Sequence, residues 1–588
     1  MTTEVGFNTS YNPSNTGPSV PKTIPYDDDS SGHDTALVGS DEEPKQAGVQ
    51  RVEAITTVWS KGMLITMFIL LYLVTFVEQL LQSVQANLVA YVTSAFAQHG
   101  LLGITSIVAT IVGGVCNLFI SKVIDIWGRV EGFCFMLVLI IAGMIMKATC
   151  TNVEMYAAAN TLYWVGHIGM DFVIQIILAD ITSLRNRIIM FGIVNTPRIA
   201  TTFAGPAIAE LFVEQVNFRW AFGAFLIILT AFCIPVCVIF IVSKNKAIKL
   251  GVYPPRPKTR TYWESLKYYF VQFDVIGMVL TISGWSLLLL PFSLVRYAPN
   301  GWKTGYIIAM IVLGLFLLVA FGIWERYFSP VPYIPFKFLK NRTILGACVV
   351  YGVMFASIFC WDSYYYSYLQ VVHQQSISHA GYILNSFSLM SSFIGPFVGL
   401  VLRYWGSPKW FSISVIPFAV LGTALLIHFR TPESHVGYLV MCQLFSGVYS
   451  GVWALTGQLV IMASVNHQDI AVALALHSLF GAIGAAVGSA IAGALWTNIF
   501  PVKLYEFLPE ESKNLTLTIY GDINEQMAYY GTPIGDAIIH AYADVQRKMV
   551  ITGVCLIPVC LVFLFIWRNI DTKKIEEVKG KQTKGRVW

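Results

Sequence analysis

Apolar residues run along most of the chain in long stretches, and short polar segments separate these stretches. A membrane-spanning helix needs about 20 consecutive, mostly apolar residues, and stretches of that length are too long for the strands of a membrane barrel. The pattern therefore predicts an all-α membrane protein with fourteen transmembrane helices. The predicted spans lie near 62–81, 101–121, 130–149, 155–178, 188–213, 219–242, 272–291, 304–324, 345–369, 380–402, 410–428, 437–462, 470–498 and 549–568.

A tryptophan–glycine pair recurs in two short turns and indicates an internal repeat. Trp127-Gly128 lies between the second and third predicted helices, and Trp405-Gly406 lies between the tenth and eleventh. Two parallel six-helix halves with one inserted helix pair match the major facilitator architecture. The predicted organisation is a disordered cytoplasmic N-tail at 1–61, a six-helix bundle at 62–242, a linker with two extra helices at 243–343, a second six-helix bundle at 344–568 that includes a long outer loop at 499–548, and a basic cytoplasmic tail at 569–588.

Composition supports a membrane protein and excludes a soluble globular one. Charged residues make up 12% of the chain and hydrophobic residues 56%, whereas soluble proteins carry about 25% charged residues. If both termini are cytoplasmic, the inner loops hold 17 Lys and Arg and the outer loops hold nine, as the positive-inside rule requires. Residues 1–61 are polar and lack the pattern of a signal peptide. The expected home is the plasma membrane, with an endosomal or vacuolar membrane as the alternative.

Polar side chains follow single faces of several predicted spans, and ionisable residues at membrane depth usually mark a transport pathway. We expect these stripes to line a wet central cavity. Arg198 is the only Lys or Arg expected well inside a span, so we expect it to pair with Asp171 or Glu78, either of which would take up a coupling proton. The expected proton-coupling residues are Glu78, Asp171 and Arg198, and the expected cavity residues are Gln82, Trp164, His167, Gln175, Asp362, Tyr366 and His477.

Two of these residues can also be explained by a purely structural role, without contact to cargo. Asp362 fits the role of a buried pair partner as well as that of a cargo contact. His477 lies on a face lined by small residues, where a hydrogen bond to a neighbouring helix would explain it.

The first tryptophan–glycine turn belongs to a longer motif. The spacing of Ser121, Asp125, Gly128 and Arg129 resembles the loop signature G-x-x-x-D-x-x-G-R of the major facilitator superfamily, with Ser121 in place of the first glycine. The resemblance implies that Asp125, Gly128 and Arg129 pin helices and gate conformational change without touching the cargo. The alternative is that the two charged residues simply end two helices.

The predicted outer loop at 499–548 is long for a protein whose other loops are short, and long loops are often functional. It contains the sequon Asn514-Leu515-Thr516, whose glycosylation the sequence leaves open. We expect the loop to cover the mouth of the cavity and help to capture cargo. The aromatic residues expected to do so are Tyr505, Phe507, Tyr520, Tyr529, Tyr530 and Tyr542.

Motifs for other kinds of chemistry are absent from the sequence. It has no Walker-type loop for ATP, no cluster with metal-ligand spacing and no nucleophile motif in its polar segments. We therefore expect a transporter that is not an enzyme, with no metal site, no resident cofactor and no nucleic-acid partner.

Two stretches carry a more specific resemblance. Residues 175–187 (QIILADITSLRNR) and 364–372 (YYYSYLQVV) are similar to the fungal siderophore-iron transporters, a fourteen-helix branch of the major facilitator superfamily. The resemblance implies the import of ferric hydroxamate siderophores together with protons, the iron arriving inside the siderophore. We expect the protein to be a monomer in membrane lipid. Two alternatives stay open, which are a proton-coupled exporter of glutathione or a toxic small molecule and a cargo receptor that does not transport.

Overall fold

The computed structural model is helical, and it describes residues 47–95, 102–254, 261–295, 298–332, 334, 336–466 and 469–571. The helices in chain order are α1 (Ala47–Thr57), α2 (Lys61–Ala95), α3 (Leu102–Ile126), α4 (Arg129–Thr149), α5 (Val153–Ile181), α6 (Leu184–Val194), α7 (Pro197–Glu214), α8 (Phe218–Lys249), α9 (Tyr262–Gln272), α10 (Val275–Leu294), α11 (Gly305–Ile323), α12 (Phe336–Leu339), α13 (Arg342–Asp362), α14 (Tyr365–Val371), α15 (Ile377–Trp405), α16 (Pro408–Ser414), α17 (Ile416–Phe429), α18 (Val436–Ser464), α19 (Ile470–Phe507), α20 (Thr516–Gly521), α21 (Ile523–Ala528) and α22 (Pro533–Ile566).

Thirteen helical segments in the described part of the chain are long and apolar enough to cross a membrane. The all-α membrane fold is therefore confirmed, and the exact number of fourteen spans stays a prediction. The remaining predicted span, 188–213, is interrupted between α6 and α7, because Pro197 begins α7 and has no N–H to continue the ladder of α6. Helix α7 is also only 18 residues long and contains three charged residues, Arg198, Glu210 and Glu214.

The helices form two groups that pack mainly within themselves. Helices α2 to α8 form the first bundle, and helices α13 to α22 form the second. The inserted helices α10 and α11 pack against each other, and α10 also contacts α3 and α19. The two bundles meet along α3 with α19, and along α15 with α6 and α7. The tryptophan–glycine turns lie at one end of the bundles, called here the turn side, and residues 508–532 lie at the other end, called the loop side.

Glycines let the backbones of the two bundles touch near the turn side. A Cβ atom on Gly192 of α6 would lie 2.6 Å from the carbonyl carbon of Gly395 on α15. One turn away, a Cβ on Gly399 would lie 2.7 Å from the Cα of Ile189. Any side chain at these glycines would push α6 and α15 apart, so the close approach depends on them.

Toward the loop side, side chains of α7 and α15 hold the two bundles together. The Ser378 hydroxyl donates to Glu210 Oε2 at 2.9 Å, and the rings of Phe203 and Tyr382 lie 5.7 Å apart. The α7–α15 contact thus continues the α6–α15 contact toward the opposite end of the bundles.

A short helix replaces the last part of the predicted disordered tail at 1–61. Helix α1 packs Val52 and Ile55 into the protein, at 4% and 3% exposure. Arg51 Nη1 donates to the carbonyl oxygens of Ile126 and Trp127, at 3.0 and 2.7 Å, and so satisfies backbone groups that the end of α3 leaves open. The average polarity of the tail concealed this local apolar face. Residues 1–46 and 572–588 lie outside the described part of the chain.

The predicted outer loop at 499–548 is shorter in the structure. Helix α19 continues to Phe507 and α22 begins at Pro533, so the connection is 508–532 and contains α20 and α21. The prediction followed the ends of the apolar runs, but these two helices continue past those ends with polar residues among their apolar ones.

Candidate functional site

The turn motif is a buried cluster of charges that joins three helices. Arg129, at the start of α4, donates from Nε to Asp180 Oδ2 on α5 at 2.7 Å and from Nη1 to Asp125 Oδ1 on α3 at 3.1 Å. Gly128 has a φ of 121°, a conformation that residues with a Cβ rarely adopt. The charges of the motif therefore join α3, α4 and α5, and its role in gating stays a prediction. Asp180 lies in the stretch that carries the family resemblance, but no spacing signal linked it to Arg129.

Glu78 is bound to a histidine and not to Arg198. Glu78 of α2 and His167 of α5 contact each other through Oε2 and Nδ1, and the two residues are 4% and 7% exposed. The second carboxylate oxygen of Glu78, Oε1, has no hydrogen-bond partner among the described residues. The structure therefore brings two predicted site residues together in a pairing that differs from the expected one.

Arg198 is held by an amide. Its Nη2 donates to Gln82 Oε1 at 3.1 Å, and Asp171 accepts instead from Gln175 Nε2 at 2.8 Å. The Asp171 charge still acts on Arg198 across the gap between α5 and α7. The expected Arg198 ion pair is therefore not formed among the described contacts, although the charges remain close.

The second bundle meets this group through an aromatic residue. Tyr351 of α13 is within electrostatic range of both Asp171 and Arg198, and its ring stacks on the ring of His477 of α19 at 3.9 Å. His477 Nε2 has no hydrogen-bond partner in the described part of the chain. We call Gln82, Asp171, Gln175, Arg198 and Tyr351 the central cluster. Each of its members is partly exposed although it lies within a confirmed or predicted spanning segment, as residues that line a cavity between the bundles would be.

The other predicted cavity residues lie beside or away from the central cluster. Trp164 contacts His167, with ring centroids 5.4 Å apart. Asp362 lies eleven residues after Tyr351 on α13, which at 1.5 Å per residue places it about 16 Å along the helix. Tyr366 donates to the Ile377 carbonyl oxygen at 3.3 Å. Asp362 and Tyr366 therefore belong to the loop side, and the structure does not bring them to the central cluster.

The aromatic residues expected to capture cargo divide into two kinds. Tyr542 is 1% exposed on α22 and donates to Gln526 Oε1 at 2.7 Å, so its predicted capture role is wrong because it is sealed inside the fold. Tyr520 and Tyr529 are partly buried. The exposed members are Tyr505, Phe507 and Tyr530, at 54%, 41% and 55%.

Two buried basic residues were missed because they lie near the ends of apolar runs and were counted with the outer loops. Lys147 is fully buried, and its Nζ donates to Gln85 Oε1 and Asn160 Oδ1, at 2.8 Å each. Arg430 is 2% exposed, and burial lowers the pKa of its guanidinium from the ordinary value. Each lies at the loop-side end of the third spanning segment of its bundle. Arg198 is therefore not the only buried base.

The described residues contain no group of three or more His, Cys, Asp or Glu side chains that is placed to hold a metal ion. The central cluster offers amides, one acid, one base and a phenol instead. Such a set can hydrogen-bond a polar cargo and can change its net charge by protonation.

Comparison with known proteins identifies the family. Residues 71–372 match the model of the Major Facilitator Superfamily. The chain is 50% identical over 577 residues to MFS siderochrome iron transporter 1 of Ajellomyces capsulatus, which covers 98% of this chain and 99% of that one. It is 40% identical over 537 residues to siderophore iron transporter mirB of Emericella nidulans, covering 91% and 89%.

A solved structure shares the fold at low sequence identity. The crystal structure of peptide transporter POT in complex with sulfate aligns with a TM-score of 0.52 at 17% identity, covering 89% of this chain and 99% of that chain. The chain is a multi-pass membrane protein that belongs to the major facilitator superfamily, within the family of the fungal siderochrome and siderophore iron transporters.

Proposed function

We propose that the protein is a secondary active transporter that imports ferric hydroxamate siderophores together with protons. The observation that carries the proposal is the central cluster, in which Gln82 of α2 binds Arg198 of α7, and Arg198 and Asp171 of α5 lie near Tyr351 of the second bundle. The relatives at 50% and 40% identity, whose names specify siderochrome and siderophore iron transport, support the choice of cargo.

The chemistry of the cluster suits a chelated metal. In a ferric hydroxamate the iron is already saturated with oxygen ligands, so the cargo presents amide, hydroxyl and apolar groups. Gln82, Gln175 and Arg198 supply hydrogen bonds to such groups, and Tyr351 supplies an aromatic face. The iron thus travels as part of the cargo, and the protein requires no resident metal or cofactor and performs no enzymatic reaction.

Two acids are the proposed proton acceptors. Asp171 belongs to the central cluster itself, so its protonation changes the charge balance with Arg198 directly. Glu78 is paired with His167 deeper in the first bundle, and a proton there changes the contact between α2 and α5. Charged groups buried in a spanning region bind protons reversibly where carriers couple proton flow to movement.

The proposed setting is a monomer in the plasma membrane with both termini in the cytoplasm. The turn side then faces the cytoplasm and the loop side faces outward, as the positive-inside count requires.

Uptake by the purified protein in lipid vesicles tests the proposal. We expect labelled ferric hydroxamates to accumulate with simultaneous proton entry, and we expect Asp171→Asn together with Glu78→Gln to abolish proton-coupled accumulation. Glu433→Gln, which removes an exposed acid on the loop side, is the matched control and should transport normally. Outward flux under an inward proton gradient would identify an exporter, and binding without accumulation would identify a receptor.

A further inference from the structure

Arg430 is buried with only part of its guanidinium satisfied. It is 2% exposed, and its Nη1 donates to the Trp361 carbonyl oxygen at 2.5 Å and to Gln546 Oε1 at 3.1 Å. Its Cζ lies 3.9 Å from the ring centroid of Tyr365. The Nε and Nη2 groups have no hydrogen-bond partner among the described residues, so two N–H directions of a permanently charged group remain open.

The residues around Arg430 also present unused polar atoms. Tyr365, Gln443 and Gln546 are all 0% exposed, and Gln443 lies beside the Tyr365 hydroxyl. In the described part of the chain the Tyr365 hydroxyl, the Gln546 amide nitrogen and both polar atoms of the Gln443 amide have no partner. We call Arg430, Tyr365, Gln443 and Gln546 the Arg430 cage. Its open groups are mostly donors, since the Gln546 oxygen is already used by Arg430.

The charge of the cage is not balanced by contact with an acid. Asp362 acts on Arg430 electrostatically, but no hydrogen bond or ion pair joins the two among the described residues. Taking a charged group out of water is costly unless it is paired and hydrogen-bonded. Tyr365 offsets part of that cost through its ring face, and the remaining positive charge attracts an anion.

Lys147, the buried base at the corresponding place in the first bundle, is held differently. The Lys147 ammonium donates to two amide oxygens and lies 4.2 Å from the centroid of the Tyr163 ring. No polar atom of Lys147 is left without a partner. The two bases lie at the corresponding end of the third segment of each bundle, yet of the two only Arg430 has nitrogen atoms without a hydrogen-bond partner among the described residues.

We propose that the Arg430 cage is a binding site for a small inorganic anion of the size of chloride. The N–H groups of Arg430, Gln443 and Gln546 and the Tyr365 hydroxyl bind the anion, and the guanidinium supplies the opposite charge. The occupant is small because every residue of the cage is at most 2% exposed, which leaves no opening for a carboxylate of a larger cargo. The site lies on the loop side, apart from the central cluster.

Thermal unfolding of the full-length protein in lipid nanodiscs tests the site with chloride itself as the ligand. At equal ionic strength, we expect the unfolding midpoint to be about 2 °C higher in potassium chloride than in potassium gluconate, because an anion that binds only the folded state stabilises it. The test does not use transport, so it stands or falls separately from the proposed function.

Two variants and one control locate the effect. Arg430→Gln removes the charge and should abolish the chloride response. Gln443→Leu keeps the charge but removes one donor together with a buried unsatisfied amide, so we expect a higher midpoint in gluconate and a smaller response to chloride. Asn160→Leu, beside Lys147 in the first bundle, should respond to chloride as the unchanged protein does.

Two results would overturn the proposal. One is an unfolding midpoint of the unchanged protein that is the same in both salts. The other is a Gln443→Leu variant whose midpoint responds to chloride as strongly as that of the unchanged protein, and this result applies even where Arg430→Gln does not fold.

Discussion

At the scale of single residues, the buried bases outside the turn motif are held by neutral groups more than by acids. Lys147 is bound by two amides, Arg198 by one amide, and Arg430 by an amide and a backbone carbonyl oxygen. Reading the sequence favoured ion pairs, because opposite charges are the obvious partners for a buried base. Amide partners are invisible at that stage, since they lie on other helices, 13 to 116 positions away in the chain.

The Glu78–His167 pair likewise could not be predicted from the sequence, although the position of each residue on its helix could. Helical spacing predicted that each residue lies on a polar face of its own helix. Which face meets which depends on the rotation of α2 against α5, and packing of the apolar residues around them sets that rotation.

The turn motif allows a stability prediction at a single residue. Replacing Arg129 with Met leaves the buried carboxylates of Asp125 and Asp180 without their common partner. We expect the free energy of unfolding to fall by about 3–5 kcal/mol, measured by denaturant unfolding of the purified protein.

Arg403 provides the matched control for this prediction. It occupies the corresponding turn of the second bundle and makes no ion pair within the described residues, so Arg403→Met should change the free energy of unfolding by less than about 1 kcal/mol. Equal effects of the two replacements would contradict the pinning role of Arg129.

At the scale of helices, the apolar runs located almost every spanning segment, and the interruptions came from local chemistry. The break between α6 and α7 follows from Pro197, which was visible in the sequence, yet an apolar run conceals a break because hydropathy does not register a missing N–H. The extensions of α19 and α22 were also missed. A helix that continues past the membrane has a polar face, and hydropathy assigns such polar residues to a loop.

The close approach of α6 and α15 gives a prediction at this scale. Gly192→Ala adds a methyl group that would lie 2.6 Å from the Gly395 carbonyl carbon, so the two backbones must separate. Overpacking of this kind costs about 1–3 kcal/mol, and we expect the initial uptake rate per folded protein to fall about tenfold.

Gly322 on the inserted helix α11 is the control, because a Cβ there would meet no atom within 4 Å. Gly322→Ala should transport at the rate of the unchanged protein. An unimpaired Gly192→Ala variant would show that the bundles move without this contact.

At the scale of the whole molecule, the connection at 508–532 is a packed part of the loop side. Ile519 and Ile523 are 0% and 5% exposed, and they belong to the same apolar cluster as Trp496 and Tyr542. Replacing the whole segment with a linker would therefore remove packing together with any capture role. Only exposed aromatic residues of the loop side, such as Tyr530 in this connection and Tyr505 near the end of α19, test capture alone.

Capture is tested by the double replacement Tyr505→Ser and Tyr530→Ser. Both rings are more than half exposed, so the fold should be kept while aromatic contacts to cargo, each of about 0.5–1.5 kcal/mol, are lost. We expect the KM for uptake to rise at least threefold with kcat unchanged.

Leu517→Ser is the control for capture, since Leu517 is 66% exposed in the same segment but is not aromatic. It should leave KM unchanged. A double variant with normal KM would remove the capture role from this surface.

The sequence by itself determined the membrane class, the approximate spans, the repeated turn and the family, because these depend on local hydropathy and on short motifs that do not require a partner. The tertiary structure alone decided that Glu78 meets His167, that Gln82 holds Arg198, and that Lys147 and Arg430 are buried. Each of those contacts joins residues that are 13 to 116 positions apart in the chain. The burial of Lys147 and Arg430 also depends on which helices pack around the helix ends where they lie. Helix rotation and docking are set collectively by packing, and no single stretch of sequence encodes them.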